Sequence, residues 1–171
     1  MRLGVVVGDP KPASRTLSVA TAAADALTRA AGLAGERETV DLCVLARHLL
    51  LPEPSPAVEE AIDQVMSADL LLVASPAAKG TYSGLLKVFL DRLPHRALDG
   101  AVAVPVMLMG LPEHAPAVDL YLRPLLAELG ALPAAGLAVL ESDLDRLDAV
   151  LEPWTGRVRS ALGAGRLAHA V

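Results

Sequence analysis

Apolar residues along this chain fall into two alternating patterns. Short unbroken runs (Leu3 to Val7, Leu70 to Ala74, Ala101 to Met109 and Gly136 to Leu140) are separated by longer stretches with helical spacing. An unbroken apolar run of this length reads as a parallel strand buried on both faces. Glu38 to Leu42 alternates apolar and polar residues, as suits a strand at a sheet edge. Helices are predicted from Ser14 to Ala31, ended by Gly32, and from Ser55 to Ser67, with Ser55 as N-cap and Pro56 first. Further helices run from Ser83 to Leu93, stopped by Pro94, from Glu113 to Leu129, ended by Gly130, and from Asp143 to about Leu162. Pro124 lies inside the fourth of these. It has no N–H for the Leu120 carbonyl, so a bend or bulge is expected near Leu120 and Tyr121.

Strands alternating with helices predict a parallel sheet covered on both faces. The expectation is a single α/β domain over residues 1–171, with the tail from about 163 loosely ordered. Five strands suit a flavodoxin-like three-layer sandwich of strand order 2-1-3-4-5. In that order the first and third strands flank the point where the winding reverses, and ligands bind outside the carboxyl ends of the strands there.

Two loops leave those two strands. The first, Gly8-Asp-Pro-Lys-Pro-Ala-Ser-Arg-Thr16, holds small and hydroxyl residues with two cations ahead of a helix start. Two readings fit it. It is an anion site, in which backbone N–H groups, Ser14, Thr16, Lys11 and Arg15 attract negative charge, or it is a Pro-rich turn that Ser14 caps. It matches neither the Walker nor the G-x-G-x-x-G spacing.

The second loop lies in Ser75-Pro-Ala-Ala-Lys-Gly-Thr-Tyr-Ser-Gly-Leu-Leu-Lys87. Pro76 fixes a torsion, Ala77 and Ala78 lack bulk, and Gly80 allows a positive φ. Such a loop can lie flat against a planar ring or simply connect strand to helix, with Ser83 capping the latter. The helix beyond is apolar nearly all round, at Leu85, Leu86, Val88, Phe89, Leu90 and Leu93, which suggests a subunit interface as much as a core. A third loop, Met109-Gly-Leu-Pro-Glu-His114, follows the fourth strand, and Gly110 permits close approach of a ligand.

Composition narrows the picture. The residues are 53% hydrophobic but 2% aromatic, so the core is aliphatic. A net charge of -5 argues against nucleic acid, which requires a basic face. No apolar stretch predicts a membrane span, and the start of the chain does not read as a signal peptide. One cysteine, Cys43, fits a reducing, cytoplasmic setting; it is expected as a small buried hydrophobe at the end of the second strand. His48, His95, His114 and His169 are scattered without metal-ligand spacing, and only His114 falls near the loops. Glu141, Asp143, Asp145 and Asp148 read as a solvated helix start, and Trp154 as a packing residue.

At these residues the chain resembles the NAD(P)H-dependent FMN reductase family. Gly8 to Thr16 is similar to its phosphate loop and Ser75 to Lys87 to its flavin-ring loop. These, with Leu122-Arg-Pro-Leu-Leu126, look closest to the branch that supplies reduced FMN to sulfonate monooxygenases. The resemblance covers about residues 3 to 140, and the second motif is the more specific. It implies FMN, NADPH or NADH as hydride donor, a homodimer or homotetramer, and a flavin-dependent monooxygenase as partner. It also implies flavin contacts at Asp9, Lys11, Ser14, Arg15, Thr16, Pro76, Ala77, Ala78, Lys79, Gly80, Thr81, Met109, Gly110 and Leu111. The chain departs from the family pattern at Asp9, Ala78 and Leu111. A carboxylate facing a phosphate is repulsive, so Asp9→Asn is expected to tighten FMN. With few aromatics to stack on it, FMN is expected to bind weakly and exchange. The other reading is a flavin-binding or electron-carrier protein of the same fold without reductase activity.

Overall fold

A computed structural model of the chain describes residues 1–33, 37–53 and 55–168. Four strands and their helices follow the apolar pattern: β1 (Leu3–Val7), α1 (Arg15–Ala31), β2 (Arg37–Asp41), α3 (Pro56–Met66), β3 (Leu70–Pro76), α4 (Gly84–Leu90) and β4 (Val102–Met109). A short helix, α2 (Leu42–Leu45), follows β2 directly. The strands lie parallel in the order β2-β1-β3-β4, which is the flavodoxin-like winding, with β2 at the edge. β1 and β3 are neighbours, in register from Leu3 opposite Leu70 to Val7 opposite Ala74.

The fifth position differs from expectation. It holds two short strands, β5 (Leu132–Pro133) and β6 (Leu137–Leu140), which both pair with β4. The carbonyls from the end of β5 toward β6 are taken by side chains. The Arg123 guanidinium donates to Pro133 O at 3.1 Å and to Ala134 O at 2.8 Å, and Trp154 Nε1 donates to Ala135 O at 2.9 Å. Carbonyls held this way do not join a ladder, so the strand is interrupted.

Apolar side chains divide into two layers. Phe89, Leu90, Val58, Val65 and Leu126 pack on one face of the sheet; Val19, Leu27, Leu151, Trp154 and Val158 pack on the other. Phe89 and Leu93 are buried within the single chain, so of the two readings of this apolar helix the core accounts for both side chains. The sheet itself covers the helix, and Lys87 and Asp91 form a polar edge, bonded at 2.6 Å and 2.7 Å.

Helix α1 starts and ends as the sequence predicts, whereas α4 stops at Leu90, short of Pro94, and Ser55 precedes α3 without a side-chain cap bond. Ser14 Oγ accepts from Leu17 N, and Gly32, at φ 59°, closes α1. The expected bulge before Pro124 is a π-helix (Val118–Leu122), in which Arg123 N reaches back to Val118 O ahead of α5 (Arg123–Glu128). A 3₁₀ turn (Glu141–Arg146) leads into α6 (Leu147–Ala168), which extends past the expected end near Leu162; residues 169–171, including His169, lie outside the described residues. No helix among the described residues is long and apolar enough to cross a membrane.

Candidate functional site

Three loops leave the carboxyl ends of β1, β3 and β4, and main-chain and hydroxyl bonds tie them together. Gly8 N donates to Ala74 O at 2.8 Å, and Ala77 N donates to Leu108 O at 2.7 Å. Ser83 caps α4 through Leu86 N at 3.1 Å, and its hydroxyl donates to Gly8 O. Ser75 Oγ accepts from Ser83 N at 2.8 Å and donates to Pro76 O at 2.9 Å. Ser75 and Ser83 are both buried. The sequence foresees Ser83 as a cap, but not that the same hydroxyl fastens the first loop to the second. Close packing at Gly8 is what permits it: a Cβ there would stand 2.5 Å from Leu86 Cβ.

The first loop is organised from within. Asp9 is 7% exposed. Its Oδ1 accepts from Lys11 N at 3.0 Å, and its Oδ2 accepts from Thr16 Oγ1 at 2.6 Å. Thr16 is buried, so its hydroxyl faces the loop's own carboxylate rather than an incoming anion. Ser14 caps α1. Among the described residues nothing accepts from the backbone N–H groups of Ser14, Arg15 and Thr16. They are the open donors of a helix start, with the positive end of its dipole behind them. The Lys11 and Arg15 side chains are exposed. Arg15 Nη2 lies 2.9 Å from Glu141 Oε1, so Glu141 is more than the solvated acid of a helix start. Cys43 is the other correction here. It is half-buried inside α2, not at a strand end, and Sγ donates to Pro10 O at 3.3 Å.

The second loop is a tight hairpin. Ala78 N donates to Thr81 O at 2.7 Å, and Thr81 N donates to Ala78 O at 3.2 Å. Lys79 at φ 55° and Gly80 at φ 81° occupy the two central positions, the signature of a type I′ turn. Gly80 is the foreseen positive torsion; Lys79 is not, because an L side chain rarely adopts it. Pro76 ends β3, and Pro76 and Ala77 are half-buried beneath the exposed Ala78 and Lys79.

In the third loop Met109 is the last residue of β4 and its side chain is in the core, so only its main chain reaches the loop. Gly110 and Leu111 are exposed, and a Cβ on Gly110 would meet nothing within 4 Å. His114 approaches the hairpin, its Cδ2 4.0 Å from where a Cβ on Gly80 would stand. The surface hollows beside α2 and between α1 and α6 contain none of these residues. No group of three or more His, Cys, Asp or Glu among the described residues could hold a metal ion.

A flavin mononucleotide fits this arrangement. Open N–H donors at the start of α1 suit its phosphate, the small side chains of Pro76, Ala77 and Ala78 leave room for its ring, and a Cβ on Gly110 would meet nothing within 4 Å. Residues 1–145 match the family model for NADPH-dependent FMN reductases. The chain is 39% identical over 133 residues to an FMN reductase (NADPH) from Escherichia coli, spanning 77% of this chain and 68% of that protein. It is 34% identical over 134 residues to an NADH-dependent FMN reductase from Pseudomonas fluorescens, spanning 74% and 70%. In three dimensions it is similar to an NADH:FMN oxidoreductase in its apo form, with a TM-score of 0.81, 29% identity, and coverage of 98% of this chain and 89% of that one.

Proposed function

The chain belongs to the NADPH-dependent FMN reductase family, and on that premise we propose that it reduces FMN with NADPH or NADH at the cleft between β1 and β3. The observation that carries the proposal is the coupling of the first two loops at the switch point, through Gly8, Ser75 and Ser83. FMN bound there would supply the redox chemistry, as the acceptor of a hydride from the nicotinamide. What the chain must do is hold and orient. The N–H groups of Ser14, Arg15 and Thr16 would take the phosphate, with Lys11 alongside. Pro76 to Thr81 would lie against the ring. Gly110 and Leu111 would border the space for the second ring. Proximity and orientation of two rings are the catalytic contribution a site of this kind makes, so it requires no general acid or base.

We extend the same reading to a homodimer or homotetramer and to a flavin-dependent monooxygenase that receives the reduced FMN. Exposed Leu111, Leu120 and Tyr121, with half-buried Leu85 and Val88, supply apolar surface for association, and the solution mass against the 17.7 kDa monomer tests it. The donor-to-flavin reaction is tested by nicotinamide oxidation with and without FMN. Oxidation of NADPH or NADH that depends on added FMN is expected. Absence of FMN-dependent oxidation with either donor, at saturating FMN, would contradict the proposal and favour a flavin-binding or carrier role.

A further inference from the structure

We propose that Glu141 sets how strongly this chain prefers a flavin carrying the 5′-phosphate over one without it, by holding the Arg15 guanidinium. The inference rests on the flavin site proposed above. Arg15 is the first residue of α1, beside the open N–H groups of Ser14 to Thr16. Glu141 belongs to a distant part of the chain. β6 brings it to the carboxyl edge of the sheet, where it opens the 3₁₀ turn and meets Arg15 at 2.9 Å.

The charges around the first loop then balance. Lys11 and Arg15 are its two cations; Asp9 and Glu141 are the two carboxylates set against them. Asp9 spends both oxygens on the loop, on Lys11 N and Thr16 Oγ1. The Glu141 carboxylate has the Arg15 guanidinium as its partner. A phosphate dianion arriving at the start of α1 must either draw Arg15 away from Glu141 or bind with Arg15 already neutralised. Riboflavin, with the same ring and no phosphate, meets neither cost. Glu141 is therefore a positioning residue that acts through Arg15 and opposes the phosphate alone. The pair is exposed, with side chains 62% and 40% accessible, so solvent screens it and the effect is modest.

The test is direct binding of FMN and of riboflavin, by quenching of flavin fluorescence at low salt, to wild type, Glu141→Gln, Arg15→Ala and the double variant. Glu141→Gln should tighten FMN about two- to fivefold and leave riboflavin unchanged, because the loss is that of an exposed charge pair. The gain should fade at about 0.5 M salt, where screening is short-ranged. It should also vanish in the Arg15→Ala background. Equal changes for both flavins would mark Glu141 as merely structural and overturn the inference. Unchanged or weaker FMN binding in Glu141→Gln would overturn it too, as would a gain that survives loss of Arg15. Wild type that binds neither flavin would overturn the site itself, whereas normal binding with an unaltered FMN-to-riboflavin ratio would overturn only the role of Glu141.

Discussion

Gly8→Ala should destabilise the protein by about 3 kcal/mol, the upper end for forcing a methyl into a packed interior, and weaken FMN at least about tenfold. A Cβ at this position would stand 2.5 Å from Leu86 Cβ and 3.2 Å from Leu86 Cα. The obstruction is the root of a side chain on α4 and the backbone beneath it, so no rotamer change relieves it. α4 cannot retreat without loss of the Ser83 hydroxyl bond to Gly8 O, and β1 cannot shift without loss of Gly8 N to Ala74 O at 2.8 Å. The first bond joins the first loop to the second and the other joins it to β3, so relief of the clash opens the cleft. Urea unfolding reads the first effect and FMN titration the second. A Gly8→Ala protein within about 0.5 kcal/mol of wild type, the usual range for a surface change, would show that the two loops are not locked in this way.

Asp9→Ala should be about as costly and should weaken FMN rather than tighten it. The sequence alone supports the opposite, since a carboxylate in a phosphate loop looks like a repulsive charge whose neutralisation helps binding. The structure gives the carboxylate another task. With Asp9 removed, the buried Thr16 hydroxyl and Lys11 N both lose their acceptor. Hydrogen bonds to a charged group contribute roughly 1.5–3 kcal/mol each, and a buried orphan costs about 1–3 kcal/mol, so a loss of about 2–4 kcal/mol is expected. The loop that carries the open N–H donors loosens with it. Asp9→Asn keeps a polar partner for Thr16 and should fall between alanine and wild type in both stability and FMN affinity. Tighter FMN binding by Asp9→Asn would mean that charge outweighs loop order, and the sequence-based expectation would stand.

The contrast between Asp9 and Glu141 shows which parts of the site the sequence makes legible. Strands β1 and β3, their neighbouring positions and the two small-residue loops follow from apolar runs and local chemistry. So do the Ser14 and Ser83 caps, the Gly32 stop and the π-helix before Pro124, because each depends on residues close in sequence. Features that depend on a distant partner are not legible. Nothing near Glu141 indicates that it meets Arg15, and nothing near Asp9 says which way its carboxylate turns. The split of the last strand depends on Arg123 and Trp154 reaching its carbonyls from other elements. The burial of Phe89 inside one chain depends on the sheet beneath α4, which an all-round apolar helix does not reveal. Lys79 at φ 55° runs against its own local preference, and the hairpin bonds between Ala78 and Thr81 hold it there. A signal was available for one missed element: Asp41 stands directly before Leu42, and its side chain accepts from Cys43 N as the N-cap of α2.

In the proposed site, flavin would occupy the cleft where β1 and β3 part, with its phosphate at the first loop and its ring at the second. Backbone amide hydrogen exchange with and without saturating FMN tests this most directly, because it reports where the ligand sits regardless of turnover. Slower exchange is expected on FMN addition at Ser14 to Thr16 and at Ala77 to Thr81, with little change at β2, α3 and α6. Protection confined to other segments, or FMN-dependent nicotinamide oxidation with no protection in either loop, would contradict it.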